Sequence, residues 1–114
     1  MAVMKASITW PGRDNDVLRL FVEPTPEDWI VDPDETGLLA VFHEVDPDER
    51  ETGRIAGVEI IDFLEFERWA DLPDLDMLWQ LPGQEPLPLE TLLRRVQSQL
   101  LMSSESKERT QQSA

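Results

Sequence analysis

The sequence contains a single histidine, the first residue to consider for catalysis or metal binding. His43 lies in a run in which Val41 and Val45, its neighbours at strand spacing, are apolar. A catalytic histidine needs an orienting partner and a group to act on, and no serine or cysteine nucleophile is evident. We therefore expect His43 to pair across a sheet with an acid such as Glu59 or Asp62.

Three acidic stretches have a spacing similar to that of a calcium loop. Residues 46–50 (Asp-Pro-Asp-Glu-Arg) begin like an EF-hand loop, but arginine occupies the third ligand position and glycine does not follow where it is required. Residues 32–35 and 71–76 share this weakness, and aspartate and proline are equally typical of tight turns. We therefore assign no metal ligand.

No other pattern indicates a reaction. The five glycines form no phosphate-binding loop, and the absence of cysteine excludes disulfides, thiol nucleophiles and cysteine-ligated metals. With 24 acidic residues, some pair of carboxylates always lies close, so such a pair is uninformative about hydrolysis. We assign no catalytic residue and no cofactor, and a metal-binding or hydrolytic protein is the third of our hypotheses.

The charge balance is the strongest signal in the sequence. The 114 residues include 24 acids and 10 bases, for a net charge of −14, and residues 23–76 hold 18 of the acids but only three arginines. Such a charge repels phosphate backbones and anionic membranes, so we expect neither nucleic acid nor a membrane as partner. It would attract a basic protein, or it would serve only solubility. With no signal peptide or apolar membrane span in the sequence, we expect a cytoplasmic protein.

Hydrophobic periodicity predicts a sheet in the first half of the chain. In the second strand, Leu18, Leu20 and Val22 share one face. Connections of about 4–8 residues favour an antiparallel meander. The predicted strands are 6–10, 17–22, 28–31, 38–45 and 54–61.

The period changes to three and four residues from Asp62, which predicts short helices over 62–72 and 75–81. A proline-rich linker, 82–88, precedes an amphipathic helix over 88–102. The fold class is therefore α+β: a single domain over residues 1–102, with the sheet in 5–62, a helical extension in 62–102, and a disordered polar tail in 103–114.

Two tryptophans and the apolar stripe of the C-terminal helix are candidates for an interface. Tryptophan is enriched in interfaces as well as in cores. The stripe has three possible roles: docking on the chain's own sheet, dimerisation, or capture of another protein. The candidate residues are Trp69, Trp79, Leu89, Leu92, Leu93, Val96 and Leu100.

Residues 8–10 (Ile-Thr-Trp), 14–20 and 54–62 (Arg-Ile-Ala-Gly-Val-Glu-Ile-Ile-Asp) carry a resemblance to a known family. This part of the chain, residues 6–63, resembles the small bacterial family catalogued as domain of unknown function 2283. The resemblance implies a small antiparallel sheet with a short helix and no established activity. Some members of that family look like antitoxin partners of small basic ribonuclease-like toxins.

The leading hypothesis is a non-catalytic protein-binding module, in the manner of an antitoxin-like inhibitor. Its acidic face, residues 23–76, meets a basic partner, and the C-terminal helix provides an apolar anchor. The alternative is a structural homo-oligomer assembled through the C-terminal helix and the tryptophans.

Overall fold

The computed structural model describes residues 2–73 and 75–113, with side chains over 3–73 and 75–103. It has seven strands and one α-helix, which confirms the α+β class. Two single-turn 3₁₀ helices, Phe63–Glu65 and Trp69–Asp71, lie between the fifth and sixth strands. The elements are β1 (Ala2–Thr9), β2 (Val17–Val22), β3 (Trp29–Pro33), β4 (Ala40–Val45), β5 (Glu51–Ile61), β6 (Met77–Gln80), β7 (Leu87–Pro88) and α1 (Leu89–Ser113).

The seven strands form one mixed sheet in the order β3-β4-β5-β2-β1-β6-β7. The predicted meander of five antiparallel strands is therefore wrong in two respects. The long strand β5 returns to pair with β2, placing Leu18 opposite Ile60 and Leu20 opposite Val58. In addition, β6 runs parallel to β1, which the long connection between β5 and β6 makes possible.

The predicted helical extension is the second correction. Residues 62–72 form two 3₁₀ turns, because the backbone enters the left-handed region at Asp62 (φ 54°) and Pro73 ends the segment. Residues 77–80 form strand β6, in which Met77 and Trp79 are buried and Leu78 and Gln80 are half-buried. The predicted linker contains β7, which pairs with β6 and so ties residues 87–88 to the sheet.

The core lies between one face of the sheet and α1. The predicted alternation in β2 is confirmed, since Leu18, Leu20 and Val22 are fully buried. Burial of such side chains is the main source of stability in a chain of this size. The core is completed by residues of β4, β5, β6 and α1: Val41, Val58, Ile60, Met77, Trp79, Leu89, Leu92, Leu93 and Val96.

The opposite face of the sheet carries a smaller aromatic cluster. The rings of Phe21 and Phe42 stack with centroids 5.3 Å apart, and Trp29 tilts against both. Both phenylalanines lie opposite Gly57 in the sheet. A Cβ atom at residue 57 would clash with the carbonyl oxygen of Leu20 and lie 3.2 Å from the Cα of Phe21. Glycine is therefore required here because the strands and rings leave no space for a side chain.

The helix α1 extends beyond the apolar stripe that predicted it. The predicted disordered tail, residues 103–114, coincides up to residue 113 with the last turns of α1, whose side chains after residue 103 lie outside the described part of the chain. The disordered tail therefore stays a prediction.

Candidate functional site

The predicted interface residues lie in the chain's own core. Trp79, Leu89 and Leu93 are 0% exposed, and Trp69 is 8% exposed. Leu92 and Val96 are also buried in this core, and Leu100 packs against it. Of the three roles considered for the stripe, the structure shows docking on the chain's own sheet. A partner could reach these side chains only if α1 left the sheet.

Polar contacts hold α1 in place. The Gln97 side-chain amide donates hydrogen bonds of 2.8 Å to the carbonyl oxygens of Phe63 and Phe66. The guanidinium of Arg94 lies 5.5 Å from the ring centroid of Trp69, within the range of a cation–π contact. These contacts join one turn of the helix to the 3₁₀ segment, so polar contacts at residues 94 and 97 add to the packing of the apolar stripe.

The surface that is open to a partner lies at the other edge of the sheet. Residues 23–49, which we call the acidic segment, contain ten acids and neither lysine nor arginine. They include β3 and β4, which end the sheet on that side. No charged side chain is buried in the described part of the chain. Seven of these ten acids are exposed, and Asp34, Glu44 and Asp46 are half-buried. The bases that flank the segment along the chain are Arg19 before it and Arg50 and Arg54 after it. Arg54 Nη1 lies 3.9 Å from Glu44 Oε2.

Two aspartates of the acidic segment are used to build turns. Asp46 Oδ1 accepts hydrogen bonds from the backbone N–H groups of Asp48 and Arg50, at 2.9 and 3.0 Å. Asp34 accepts from the Thr36 hydroxyl and N–H and from the Leu39 N–H. These are the bonds of aspartate-initiated turns, which explains the calcium-like spacing of residues 32–35 and 46–50 without a metal.

Asp34 is the one carboxyl in the described part of the chain with a clearly shifted pKa. Partial burial acts to raise this pKa, but the hydrogen bonds from Thr36, Leu39 and Leu38 together outweigh it and lower the pKa below 3.8. The β3–β4 turn is thus stabilised by an ionised carboxylate.

Among the strands whose side chains are all described, β3 is the most exposed. Its residues Ile30 and Val31 are 41% and 53% exposed, although both are apolar. Trp29 is half-buried and packs on Phe21 and Phe42. Beside the start of β3 is a concavity of about 290 Å³ with four carboxylates in its wall. It is lined by Pro26, Glu27, Asp28, Glu44, Val45, Asp46 and Pro47.

The acid beside His43 is Glu51, with Nδ1 and Oε1 3.9 Å apart. The expected partners are placed otherwise: Glu59 pairs with Arg19 at 3.1 Å, and Asp62 lies beyond the end of β5, at the start of the first 3₁₀ helix. Asp32 joins His43 and Glu51 so that one donor atom of each lies within 4.8 Å of the others. One imidazole and two carboxylates are a donor set that divalent metals accept, but Asp32 and Glu51 are exposed. We therefore do not propose a metal site at these three residues.

Sequence reasoning found the acidic stretch but not the position of β3 at the edge. The available signal was the apolar triplet 29–31 with acids on both sides and no base nearby. That triplet was predicted only as a short strand.

A scan against protein-family models, a search of curated proteins and a search of solved structures each found no match. The resemblance of residues 6–63 to the family of domain of unknown function 2283 accordingly stays a prediction. Among the described residues, no helix has the length and apolar character needed to cross a membrane.

Proposed function

We propose that this protein is a non-catalytic module that binds a basic protein partner through the acidic segment. The observation that carries the proposal is the concentration of charge: ten acids and no lysine or arginine in residues 23–49, gathered at one edge of the sheet. A surface of one sign speeds the encounter with a partner of the opposite sign and discriminates against other partners. An antitoxin-like inhibitor of a cationic ribonuclease is the most specific form of this proposal.

The arrangement of the core supports the acidic edge over the helix as the binding surface. The apolar stripe of α1 is already covered by the sheet, whereas seven of the ten acids in the acidic segment are exposed. The homo-oligomer alternative would require α1 to be exchanged between copies, or a contact through other residues. Light scattering over a range of concentrations checks it: a dimer that persists in high salt would favour the homo-oligomer.

The test begins with recovery of a partner from the lysate of the native host on immobilised protein. The recovered protein is then purified and its Kd measured as salt is raised. We expect a basic protein whose Kd rises steeply with salt, because screening weakens attraction between exposed charges. The triple variant Glu27→Gln, Glu35→Gln and Glu49→Gln should raise the Kd by about tenfold.

A matched control removes the same charge from another part of the molecule. Glu65→Gln, Glu67→Gln and Glu90→Gln neutralise three carboxylates that are also exposed. This variant should change the Kd by less than about threefold, since those positions lie outside the acidic segment. Equal weakening by both variants would show that only net charge matters, and a partner insensitive to salt would contradict the proposal.

A further inference from the structure

The outer side of β3 has backbone groups that no other described strand pairs with. β3 ends the sheet and pairs only with β4. The bonds from Val45 N to Asp28 O and from Asp34 N to Leu39 O show that even-numbered residues bond toward β4. Because bonding alternates along an antiparallel strand, the carbonyl groups of Trp29, Val31 and Pro33 and the N–H of Val31 point away from the sheet.

We propose that this edge takes up an extended, positively charged segment of the partner as an additional strand. The inference rests on the proposed function and specifies how the partner is bound. Main-chain hydrogen bonds would supply affinity in such a β-strand addition, and pockets for alternate side chains would supply specificity. The outward N–H of Trp29 already donates to Asp28 Oδ1 at 3.0 Å. The edge therefore offers three acceptors and the Val31 N–H, which suits a strand that presents its N–H groups.

Charge complementarity identifies the occupant as basic. Glu27 and Asp28 precede the apolar triplet 29–31, and Asp32 and Asp34 follow it. An incoming strand with apolar residues at its centre and lysine or arginine toward its ends would match both the apolar triplet and the acids on either side of it. The acid-lined concavity at the start of β3 would receive one of those basic side chains.

The same charges disfavour a second copy of this chain on the edge. In the antiparallel registers centred on Ile30 or Val31, Asp28 of one copy would lie opposite Asp32 or Asp34 of the other. Like charges directly opposite each other destabilise a strand pair. Natural edge strands commonly use charge and proline to prevent self-association, and β3 ends in Pro33.

The test uses the full chain and a short capped peptide of alternating lysine and valine as probe. A second probe has the same sequence but N-methylated backbone amides at alternate residues, which removes donors without changing charge. We expect the N-methylated peptide to bind about tenfold more weakly. In ¹⁵N spectra of the protein, the Val31 amide should be among the signals that the parent peptide shifts most.

Two substitutions in β3 test the same main-chain hydrogen bonds by changing the protein instead of the peptide. Val31→Pro removes the outward N–H, at a type of position where proline is tolerated, and should weaken binding of the parent peptide about tenfold. Val31→Thr retains that N–H and exchanges one methyl group for a hydroxyl, so it should weaken binding of the parent peptide clearly less than Val31→Pro does. Circular dichroism of both variants checks that the fold is kept.

The outcomes separate failure of this inference from failure of the proposed function. If both peptides bind equally, or if no peptide binds while the salt-sensitive basic partner is recovered, strand addition is overturned and the proposed function stands. If the protein alone forms a dimer that Val31→Pro abolishes, the occupant is a second copy and the inference is wrong. If no basic partner is recovered and no peptide binds, both proposals fail.

Discussion

The two edges of the sheet use apolar residues in opposite ways. At the β6–β7 edge, α1 covers the strands, and Trp79, Leu89 and Leu93 are fully buried. At the β3 edge, Ile30 and Val31 stand in solvent between groups of acids. The apolar stripe of α1, which resembles an interface in the sequence, lies in the core. The strand β3, which the sequence predicts only as a short strand, is the exposed surface. What decides the role of an apolar residue is which element covers it.

The largest effect should come from the helix-covered side. Leu93→Ala removes a side chain that is 0% exposed, so it should lower the free energy of unfolding by about 2–5 kcal/mol through lost burial and the cavity left behind. Urea denaturation measures this. Met102→Ala, on the same helix but 70% exposed, should cost less than about 0.5 kcal/mol. Equal effects would mean that α1 does not pack on the sheet in solution.

A smaller effect should follow from loosening the polar contact between α1 and the 3₁₀ turns. Gln97→Ala removes the amide that donates to Phe63 O and Phe66 O, although Phe63 O keeps the bond from the Phe66 N–H. The expected loss is about 1–3 kcal/mol. Gln99→Ala changes an exposed glutamine of the same helix and should be nearly neutral. Urea midpoints of the two variants distinguish them, and identical midpoints would contradict a role for this contact.

The β3–β4 turn should respond to pH in a defined direction. Asp34→Ala removes the acceptor that organises the turn, with an expected loss of about 0.5–1.5 kcal/mol near neutral pH. Because the pKa of Asp34 is lowered on folding, its charged form stabilises the native state. The charge-dependent part of the difference in unfolding free energy between wild type and Asp34→Ala is fully present above about pH 4. It is lost as the pH falls through the lowered pKa of Asp34.

Urea titrations of wild type and Asp34→Ala at several pH values provide the measurement. Glu35→Gln, which neutralises the adjacent exposed carboxyl, serves as the control and should stay close to wild type at each pH. A difference between wild type and Asp34→Ala that grew on acidification would have the wrong sign for a lowered pKa.

Hydrophobic periodicity predicted the strands β2 and β5 and the helix α1, because each has its pattern within one continuous run of residues. The alternation in 17–22 and 56–60 placed Leu20 and Val58 correctly in the core, and the 3.6-residue period located α1. It failed over 62–81, because Leu75, Leu78 and Trp79 fit either a helix or a strand until a partner is known. That partner is β1, distant in sequence. The edge position of β3 likewise depends on β5 returning to β2, which no local pattern contains.

The smallest expected effect on stability belongs to the exposed edge. Val31 is 53% exposed, so Val31→Thr should change the free energy of unfolding by less than about 0.5 kcal/mol, measured by urea denaturation. A near-neutral result would mean that this apolar side chain is not there for stability, as expected of a surface kept for a partner. A loss of more than about 1.5 kcal/mol, comparable to a buried aliphatic side chain, would show that Val31 is covered in solution and would remove β3 from consideration as an open edge.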